Sequence, residues 1–343
     1  MKKTSIGLSL FFILFVAAGV WRYSHRRGSA SHSVERTRVL MDTLVRIEVF
    51  DEDEEKAQEA IGAAVSEIER LSMVFSHYLP DSEVSRLNRE AGGSPETVSA
   101  DLYTVLQRSV RFSRVTHGAF DITLGAVSQL WDFTGEEFRV PPAREIEARV
   151  ESVDYERIII DSEQRVALVD SGMAIDLNGV AKGYCVDRAL KVLKSCGISS
   201  GLVDAGGDIG LLGSRSEEGP WRIGVRHPRD DQRLIAVIEV DSGSVATSGD
   251  YERFFIQDGR RYHHILDPKT GWPSRNCISV TILTQQAMEA DILATGVFVL
   301  GPEKGLALVE SLTGVEGLIL FERDGRIEHL ISEGLRERIT FNR

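Results

Sequence analysis

Hydrophobic residues recur along this chain with two different spacings. From Ile61 to Phe75 they lie three or four residues apart, which predicts an amphipathic helix, and a second helix is predicted over Leu102 to Val115. From Val39 to Phe50 apolar and polar residues alternate, which predicts a strand. Because helices and strands follow one another without a regular order, the pattern predicts an α+β fold.

The second half of the chain contains many short apolar segments separated by turn-forming residues. Strands are predicted at residues 157–161, 165–169, 173–176, 201–204, 209–212, 221–225, 234–240, 279–283 and 317–321, and helices at about 179–193 and over 288–300. The strands are predicted to be largely antiparallel. The length of 343 residues is compatible with two domains or with one large one.

The N-terminal segment has the features of a secretory signal. Lys2 and Lys3 precede an apolar run from Ile6 to Trp21. As a helix this run spans roughly 24 Å, which is short of the roughly 30 Å hydrocarbon core. We expect residues 1–27 to be a signal peptide or a membrane anchor, 28–37 a linker and 38–343 the folded domain. The protein is therefore expected to be exported and anchored in the inner (cytoplasmic) membrane, facing the periplasm or the outside.

Composition and charge narrow the function classes. Hydrophobic residues make up 42% and charged residues 27%, which excludes a disordered chain and a protein with many membrane spans. The formal charge of −12 gives no general attraction for nucleic acid, so no such partner is expected. The three cysteines form no C-x-x-C pair, which argues against a thiolate zinc site and a disulfide framework.

Several polar residues have spacings that suit phosphate or metal chemistry. Asp291 and Thr295 lie four apart in a predicted helix and share one face, where their oxygens suit Mg²⁺ or Ca²⁺; a plain polar patch is the alternative. Lys182 lies near the predicted start of another helix, which is a favourable place for a phosphate group. His263 and His264 are adjacent, so in a strand at most one of them faces a given site.

Five segments carry a resemblance to a known family. They are Gly118-Ala119-Phe120-Asp121-Ile122-Thr123, Ala205-Gly206-Gly207-Asp208-Ile209, Thr247-Ser248-Gly249-Asp250-Tyr251, His264-Ile265-Leu266-Asp267-Pro268-Lys269-Thr270-Gly271 and Asp291-Ile292-Leu293-Ala294-Thr295. From Met41 to about Gly301 the chain resembles the ApbE family, the FAD:protein FMN transferases. The resemblance implies one large ApbE-like domain, with FAD as substrate and Mg²⁺ as cofactor.

The resemblance also implies a set of site residues. The implied metal ligands are Asp291, Thr295 and the backbone carbonyl of Gly179. The implied flavin contacts are Met41, Tyr78, Ala119, Phe120, Asp121, Lys182, His264 and Ile265.

The implied reaction is phosphoryl transfer. A threonine hydroxyl of a target protein attacks the FMN-side phosphorus of FAD, and AMP leaves. His264 is the expected proton acceptor, Asp291 the expected catalytic metal ligand, and Asp267 the expected partner that orients His264. The expected partner is a protein of a membrane electron-transport complex. Two alternatives stay open, namely an FAD pyrophosphatase that releases FMN and AMP, and a non-catalytic flavin-binding protein.

Two positions depart from the family pattern. Asp42 replaces the glycine of a Met-Gly-Thr segment, and Asn178 precedes Gly179 where the family has Gly-Gly or Gly-Ala. A carboxylate beside a bound diphosphate would repel it unless the side chain points away or joins the metal. Asn178 is the milder change, since asparagine tolerates a left-handed backbone and caps helices.

Overall fold

The computed structural model describes residues 32–133, 138–215 and 219–342. The predicted signal or anchor at residues 1–27, and residues 28–31 of the predicted linker, lie outside this part. Across the three described ranges, no helix combines the length and the apolar character needed to cross a membrane.

The fold is α+β, as predicted, with sixteen strands in the described ranges that pair antiparallel wherever they form sheets. The strands are β1 (His32–Leu40), β2 (Thr43–Asp51), β3 (Glu96–Thr97), β4 (Ile158–Ile160), β5 (Arg165–Leu168), β6 (Gly201–Ala205), β7 (Asp208–Leu212), β8 (Trp221–His227), β9 (Asp230–Val240), β10 (Gly243–Gly249), β11 (Phe254–Gln257), β12 (Arg260–His263), β13 (Ser279–Thr284), β14 (Glu316–Arg323), β15 (Arg326–Ile331) and β16 (Ile339–Phe341).

Eight α-helices complete the described part. They are α1 (Glu54–Phe75), α2 (Glu83–Arg89), α3 (Ala100–Val115), α4 (Gly125–Ser128), α5 (Ala143–Val150), α6 (Ala181–Ser195), α7 (Ala287–Leu300) and α8 (Pro302–Ser311), with short 3-10 turns at Tyr155–Arg157 and Glu333–Leu335. The predicted helices therefore exist, with ends shifted by a few residues.

One eight-stranded sheet forms the centre of the molecule. Its strand order is β1-β2-β6-β7-β10-β13-β14-β15, and smaller sheets are β16-β9-β8, β3-β5-β4 and the hairpin β11-β12. Two consecutive residues of β6 lie in different hydrophobic cores. Val203 packs in the core that the helices share, and Leu202 packs in a second core with residues of β8 and β9. Because side chains alternate across a strand, both faces of the central sheet are buried.

The N-terminal hairpin differs from the single strand predicted at residues 39–50. The chain reverses at Met41 and Asp42, whose φ angles are 52° and 55°, and Leu40 pairs directly with Thr43. Two consecutive positive φ angles in a two-residue connection are typical of a type I′ turn, which usually contains asparagine or glycine. Met41 and Asp42 are neither asparagine nor glycine, so no turn is predicted at this position.

The predicted linker also contains structure. Strand β1 begins at His32, so residues 32–37 pair with β2 and extend the central sheet. Ser33, Glu35 and Thr37 are exposed while Val34 is buried, which is the pattern of an edge strand with one covered face. The polar residues of this segment, which are typical of a linker, lie on its exposed face.

Some local predictions were wrong. Residues 173–176 were predicted as a strand but form only one isolated bridge, between Leu124 and Ala174. Thr247 and Ser248, which belong to one of the five family segments, lie in β10 between β7 and β13. This strand carries small polar residues because one part of it borders the candidate site described below.

Helices α6 and α7 approach each other closely at Gly183. A Cβ atom at this position would lie 2.7 Å from the carbonyl carbon of Ala287 and 2.7 Å from Cα of Met288, so no larger residue fits without movement. Nearby, the Asp187 carboxylate accepts hydrogen bonds from the backbone N–H groups of Ala287 (2.8 Å) and Met288 (3.0 Å). A side chain of α6 therefore caps α7, which fixes the two helices relative to each other.

This cap gives a stability prediction. Replacing Asp187 by alanine leaves two N–H groups at the start of α7 without their acceptor, so we expect the free energy of unfolding to fall by about 1–2 kcal/mol. Urea unfolding followed by circular dichroism measures the change. Glu59→Ala removes an exposed carboxylate on α1 and serves as the control, with an expected change within about 0.5 kcal/mol. Equal losses in both variants would contradict the capping role.

Candidate active site

The three residues implied as metal ligands lie close to one another. Thr295 lies one helical turn after Asp291 on α7, and its hydroxyl is 3.3 Å from the hydroxyl of Ser248 on β10. A Cβ atom at Gly179 would lie 3.2 Å from Thr295 Oγ1, so the backbone before α6 faces this hydroxyl directly. One turn away, the N–H of Gly183 donates to Asp291 Oδ2 at 3.2 Å. The segment from Gly179 to Gly183 thus runs alongside the Asp291–Thr295 turn.

This oxygen set suits a hard divalent cation. Asp291 is only 4% exposed, and its second carboxylate oxygen has no hydrogen-bond partner among the described residues. Burial, and then the neighbouring Asp208, raise the pKa of Asp291 to about 7, and a bound cation would favour the charged form. No cluster of three or more His, Cys, Asp or Glu side chains that could hold a metal occurs in the described ranges. A hydroxyl and a carbonyl beside one carboxylate fit Mg²⁺ better than zinc.

Lys182 forms a buried ion pair that was not expected. Its ammonium group contacts Oδ2 of Asp208, which is 1% exposed at the start of β7. Burial alone would lower the pKa of Lys182, but the carboxylates of Asp208 and Asp291 raise it above its usual range. For Asp208, burial raises the pKa while Lys182 opposes the shift. The lysine is therefore charged and lies between two acidic groups.

The Gly206-Gly207 turn places Asp208 at this site. Both glycines have positive φ angles, 65° and 98°, which other residues rarely adopt. A Cβ atom at Gly206 would lie 3.1 Å from Cβ of Thr43, so this turn packs against the residue that follows the Met41-Asp42 turn. Asp204 accepts a hydrogen bond from Gly207 at 2.9 Å and stabilises the turn. The sequence singled out this segment, but it gave no signal for the role of Asp208.

Three of the implied flavin contacts, Met41, Tyr78 and Ile265, differ in exposure. Met41 is half-buried, Ile265 is 4% exposed, and Tyr78 is 65% exposed with its ring centroid 3.9 Å from that of His77. The pKa of Tyr78 is raised, first by partial burial and then by Asp176, with a smaller contribution from Asp42. Tyr78 therefore offers an accessible ring near two carboxylates at the edge of the site.

The segment Ala119-Phe120-Asp121 is buried. Phe120 borders Gly179, since a Cβ atom there would lie 3.2 Å from Cε2 of the ring. Asp121 accepts hydrogen bonds from the N–H and hydroxyl of Thr123 (2.8 and 2.6 Å) and from the N–H of Tyr155 (3.1 Å). Burial raises its pKa to about 6. The carboxylate thus holds two loops together, and a cavity of about 340 Å³ lies beside it, toward Lys269.

The two adjacent histidines have different surroundings, as the alternation of a strand predicts. His263 is 5% exposed; its Nε2 lies 2.7 Å from the carbonyl of Ser274, and its Nδ1 accepts a 3.3 Å bond from the N–H of Ile265. His264 is half-buried, and its Nδ1 lies 3.3 Å from the carbonyl of Arg253. Because a carbonyl only accepts, Nδ1 of His264 carries the proton and Nε2 keeps its lone pair.

The partner that orients His264 differs from the expected one. The Asp267 carboxylate accepts a bond from the N–H of Lys269 at 2.9 Å and stabilises a turn instead. The carbonyl oxygen of Arg253 accepts two hydrogen bonds from His264, one from its backbone N–H at 3.1 Å and one from its ring Nδ1 at 3.3 Å. Burial, and then the positive surroundings, lower the pKa of His264 to about 3. His264 is therefore neutral at physiological pH.

An aromatic cluster holds the hairpin that carries His264. Strands β11 and β12 pair with each other alone, and Phe255 stacks on Tyr262 with centroids 5.3 Å apart. Trp131 lies 5.9 Å from Tyr262, and its indole N–H donates to the carbonyl of Gly271 at 3.1 Å. Since these rings replace sheet pairing, the position of His264 depends on aromatic packing.

The chain is similar to known proteins over most of its length. The model of the ApbE family matches residues 41–319. A protein of Treponema pallidum named FAD:protein FMN transferase is 32% identical over 359 residues, covering 99% of this chain and 97% of that protein. One of the same name from Vibrio cholerae is 39% identical over 249 residues, covering 71% of this chain and 74% of that protein.

Solved structures show the same architecture. The crystal structure of the ApbE protein of Thermotoga maritima superposes with a TM-score of 0.82 at 37% identity, covering 90% of this chain and 99% of that one. The structure of the flavin transferase ApbE from Vibrio cholerae gives a TM-score of 0.80 at 33% identity, covering 90% and 100%.

The environment of His264 gives a spectroscopic prediction. In ¹⁵N-resolved NMR of the histidine rings, we expect His264 to stay neutral with its proton on Nδ1 from pH 8 down to about pH 4, because burial lowers its pKa. His329, an exposed histidine on β15, provides a second ring signal in the same spectra. Protonation of the His264 ring well above pH 4 would contradict its lowered pKa, and a proton on Nε2 of the neutral ring would show that the Arg253 carbonyl does not orient it.

Proposed function

This chain belongs to the ApbE family, and we propose that it transfers the FMN part of FAD to a protein acceptor. It is a transferase, as its relatives are. The observation that carries the proposal is the arrangement around α6 and α7, where the segment Gly179–Gly183, which includes the charged Lys182, runs alongside Asp291 and Thr295. Oxygen ligands and an ammonium group are what a magnesium-bound diphosphate requires.

We propose that the acceptor group is a threonine hydroxyl. Its oxygen forms a bond to the FMN-side phosphorus of FAD, the bond from that phosphorus to the bridging oxygen breaks, and AMP leaves with the bridging oxygen. The products are a phosphoester-linked FMN and AMP, with no net oxidation or reduction. A hydroxyl oxygen is a weak nucleophile, so the site needs a group that removes its proton as the new bond forms.

His264 is suited to take that proton. Its Nδ1–H is held by the Arg253 carbonyl, so the neutral ring has a free lone pair on Nε2. Because the pKa of His264 is lowered, the ring is neutral and this lone pair is available. The lowered pKa also makes the ring a weak base, so it takes the proton only as the new bond to phosphorus forms. Asp267 takes no part in orienting the ring.

We assign the metal to the oxygens of Asp291, Thr295 and Gly179. A Mg²⁺ ion held by these residues would supply positive charge that favours departure of the leaving phosphate oxygen. Lys182 binds a phosphate oxygen, and the absence of a side chain at Gly179 leaves its backbone accessible. We place the flavin rings beside Tyr78, whose exposed ring offers a stacking surface.

Export and the acceptor are also part of the proposal. The basic and apolar N-terminal segment supports export, with the folded domain held at the outer face of the cytoplasmic membrane. We propose that the acceptor is a protein of a membrane electron-transport complex with a threonine accessible on the same side.

A single incubation tests the proposed reaction. The folded domain, residues 32–343, is mixed with FAD, Mg²⁺ and an acceptor protein that carries the threonine, and the mixture is analysed by mass spectrometry. We expect the acceptor to gain the mass of FMN, in step with the release of AMP. FMN and AMP without labelled acceptor would select hydrolysis, and intact FAD would select the non-catalytic alternative.

The metal assignment predicts the effect of Asp291→Ala. Loss of the only carboxylate in the ligand set should weaken Mg²⁺-dependent FAD binding by about 100-fold or more, since even groups that merely support a metal ligand contribute 10–100-fold. Titration calorimetry with FAD in excess Mg²⁺ measures this change, and AMP release should become undetectable. Glu289→Ala, on the same helix but paired with Arg108, is the control and should bind FAD normally. Normal binding by Asp291→Ala would remove this residue from the metal site.

The base assignment predicts a different defect for His264→Ala. We expect kcat to fall by about 100-fold or more while the dissociation constant for FAD changes by less than about threefold. Single-turnover measurement of AMP release separates the two constants. His329→Ala, far from the site on β15, should leave both unchanged. If FAD affinity fell in parallel with the rate, His264 would be a binding residue.

A further inference from the structure

The ion pair between Lys182 and Asp208 reduces the positive charge that the site offers to a phosphate. The ammonium group of Lys182 contacts the Asp208 carboxylate, and Asp208 is 1% exposed. The Lys182 side chain is 27% exposed, so water screens the pair in part, and the buried carboxylate of Asp208 still acts on Lys182 more strongly than a surface carboxylate would. A lysine placed only to attract a diphosphate would not need a buried acidic partner.

The charges around Lys182 can be counted. When both carboxyl groups are ionised, Lys182 contributes +1 and Asp208 and Asp291 contribute −1 each, so these three side chains have a net charge of −1. Two further carboxyl groups interact with Lys182. Glu252 is ion-paired with Arg226, and Asp204 is opposed by Arg46 as well as by Lys182. His264 is neutral. A diphosphate carrying two negative charges is thus repelled by this group, unless a divalent cation changes the net charge to +1.

We propose that Asp208 makes FAD binding depend on the divalent cation, by neutralising the charge of Lys182. Asp208 is then a positioning residue that touches neither the metal nor FAD. Without the negative charge of Asp208, the group would no longer repel the diphosphate in the absence of Mg²⁺. This inference rests on the proposed function, because it takes FAD and Mg²⁺ as the ligands. Its consequence is that FAD and the metal bind together, so FAD alone does not occupy the site.

A purely structural role for the pair makes a different prediction. If Asp208 and Lys182 only stabilised the fold, removing either would lower the melting temperature and would leave the metal dependence of FAD binding unchanged. The useful quantity is therefore the coupling ratio, defined as the dissociation constant of FAD in EDTA divided by that in saturating Mg²⁺. This ratio cancels any direct contact between a side chain and FAD that is equal in both conditions.

Charge counting ranks four proteins by this ratio. The net charge of the group is −1 in the wild type, 0 in Asp208→Asn, −2 in Lys182→Met, and −1 in the double variant. We therefore expect Asp208→Asn to have the smallest coupling ratio, about tenfold or more below the wild type. Lys182→Met should have the largest ratio, and the double variant should return close to the wild-type value.

The experiment measures FAD fluorescence quenching in EDTA and in Mg²⁺ for all four proteins, with chromatography to confirm that FAD is intact. Asp208→Glu keeps the negative charge and should keep the wild-type ratio. The decrease in Asp208→Asn should come from tighter binding in EDTA. If Asp208→Asn does not fold on its own, Lys182→Met and the double variant still test the ranking. Lys182→Met should raise the coupling ratio, and adding Asp208→Asn to it should lower the ratio again.

The outcomes separate this inference from the proposed function. If the wild type does not bind FAD in Mg²⁺, the proposed function fails. If the wild type binds with strong metal dependence and Asp208→Asn has the same ratio, or binds FAD more weakly in EDTA, the role of Asp208 is overturned while the proposed function stands. A double variant with a ratio as large as that of Lys182→Met would also overturn it.

Discussion

The close approach of α6 to α7 is the constraint on which the candidate site depends. Gly183 allows the backbone of one helix to touch the first turn of the other, and Asp187 caps that turn from the neighbouring helix. Because Gly183 also donates to Asp291, the contact that joins the helices orients the proposed metal ligand. A larger residue at position 183 would separate Asp291 from the backbone that precedes α6. The contact at Gly183 thus both packs the two helices together and orients Asp291.

Burial of charge is the second feature that gives the site its character. Asp208 and Asp291 are both buried, Lys182 interacts with each of them, and burial raises the pKa of both carboxyl groups. Taking charged groups out of water costs free energy that a single ion pair recovers only in part. A divalent cation would recover more of it, so the arrangement is better explained by ligand binding than by stability. The same low dielectric strengthens each interaction with a bound diphosphate.

The sequence predicted the parts of the fold that depend on local periodicity, and it missed those that depend on long-range contacts. Helices α1, α3 and α7 follow from apolar spacing, and four-residue spacing placed Asp291 and Thr295 on one turn. By contrast, the pairing of Lys182 with Asp208 joins residues 26 positions apart through a glycine turn, and no local pattern records it. The sequence also could not predict which carbonyl orients His264. Every residue has a carbonyl, and only the folded hairpin brings that of Arg253 to the ring.

The unusual Asp42 is explained by the turn that contains it. Both residues of the β1–β2 connection have positive φ angles, and aspartate tolerates this conformation better than most residues other than glycine and asparagine. The side chain of Asp42 is exposed, so water screens its charge. Its influence on its surroundings is small, since it ranks behind burial, Asp176 and Arg253 in shifting the pKa of Tyr78. Asp42 would therefore repel a diphosphate only weakly. The buried Asp208, which belongs to one of the five family segments, has the larger electrostatic effect.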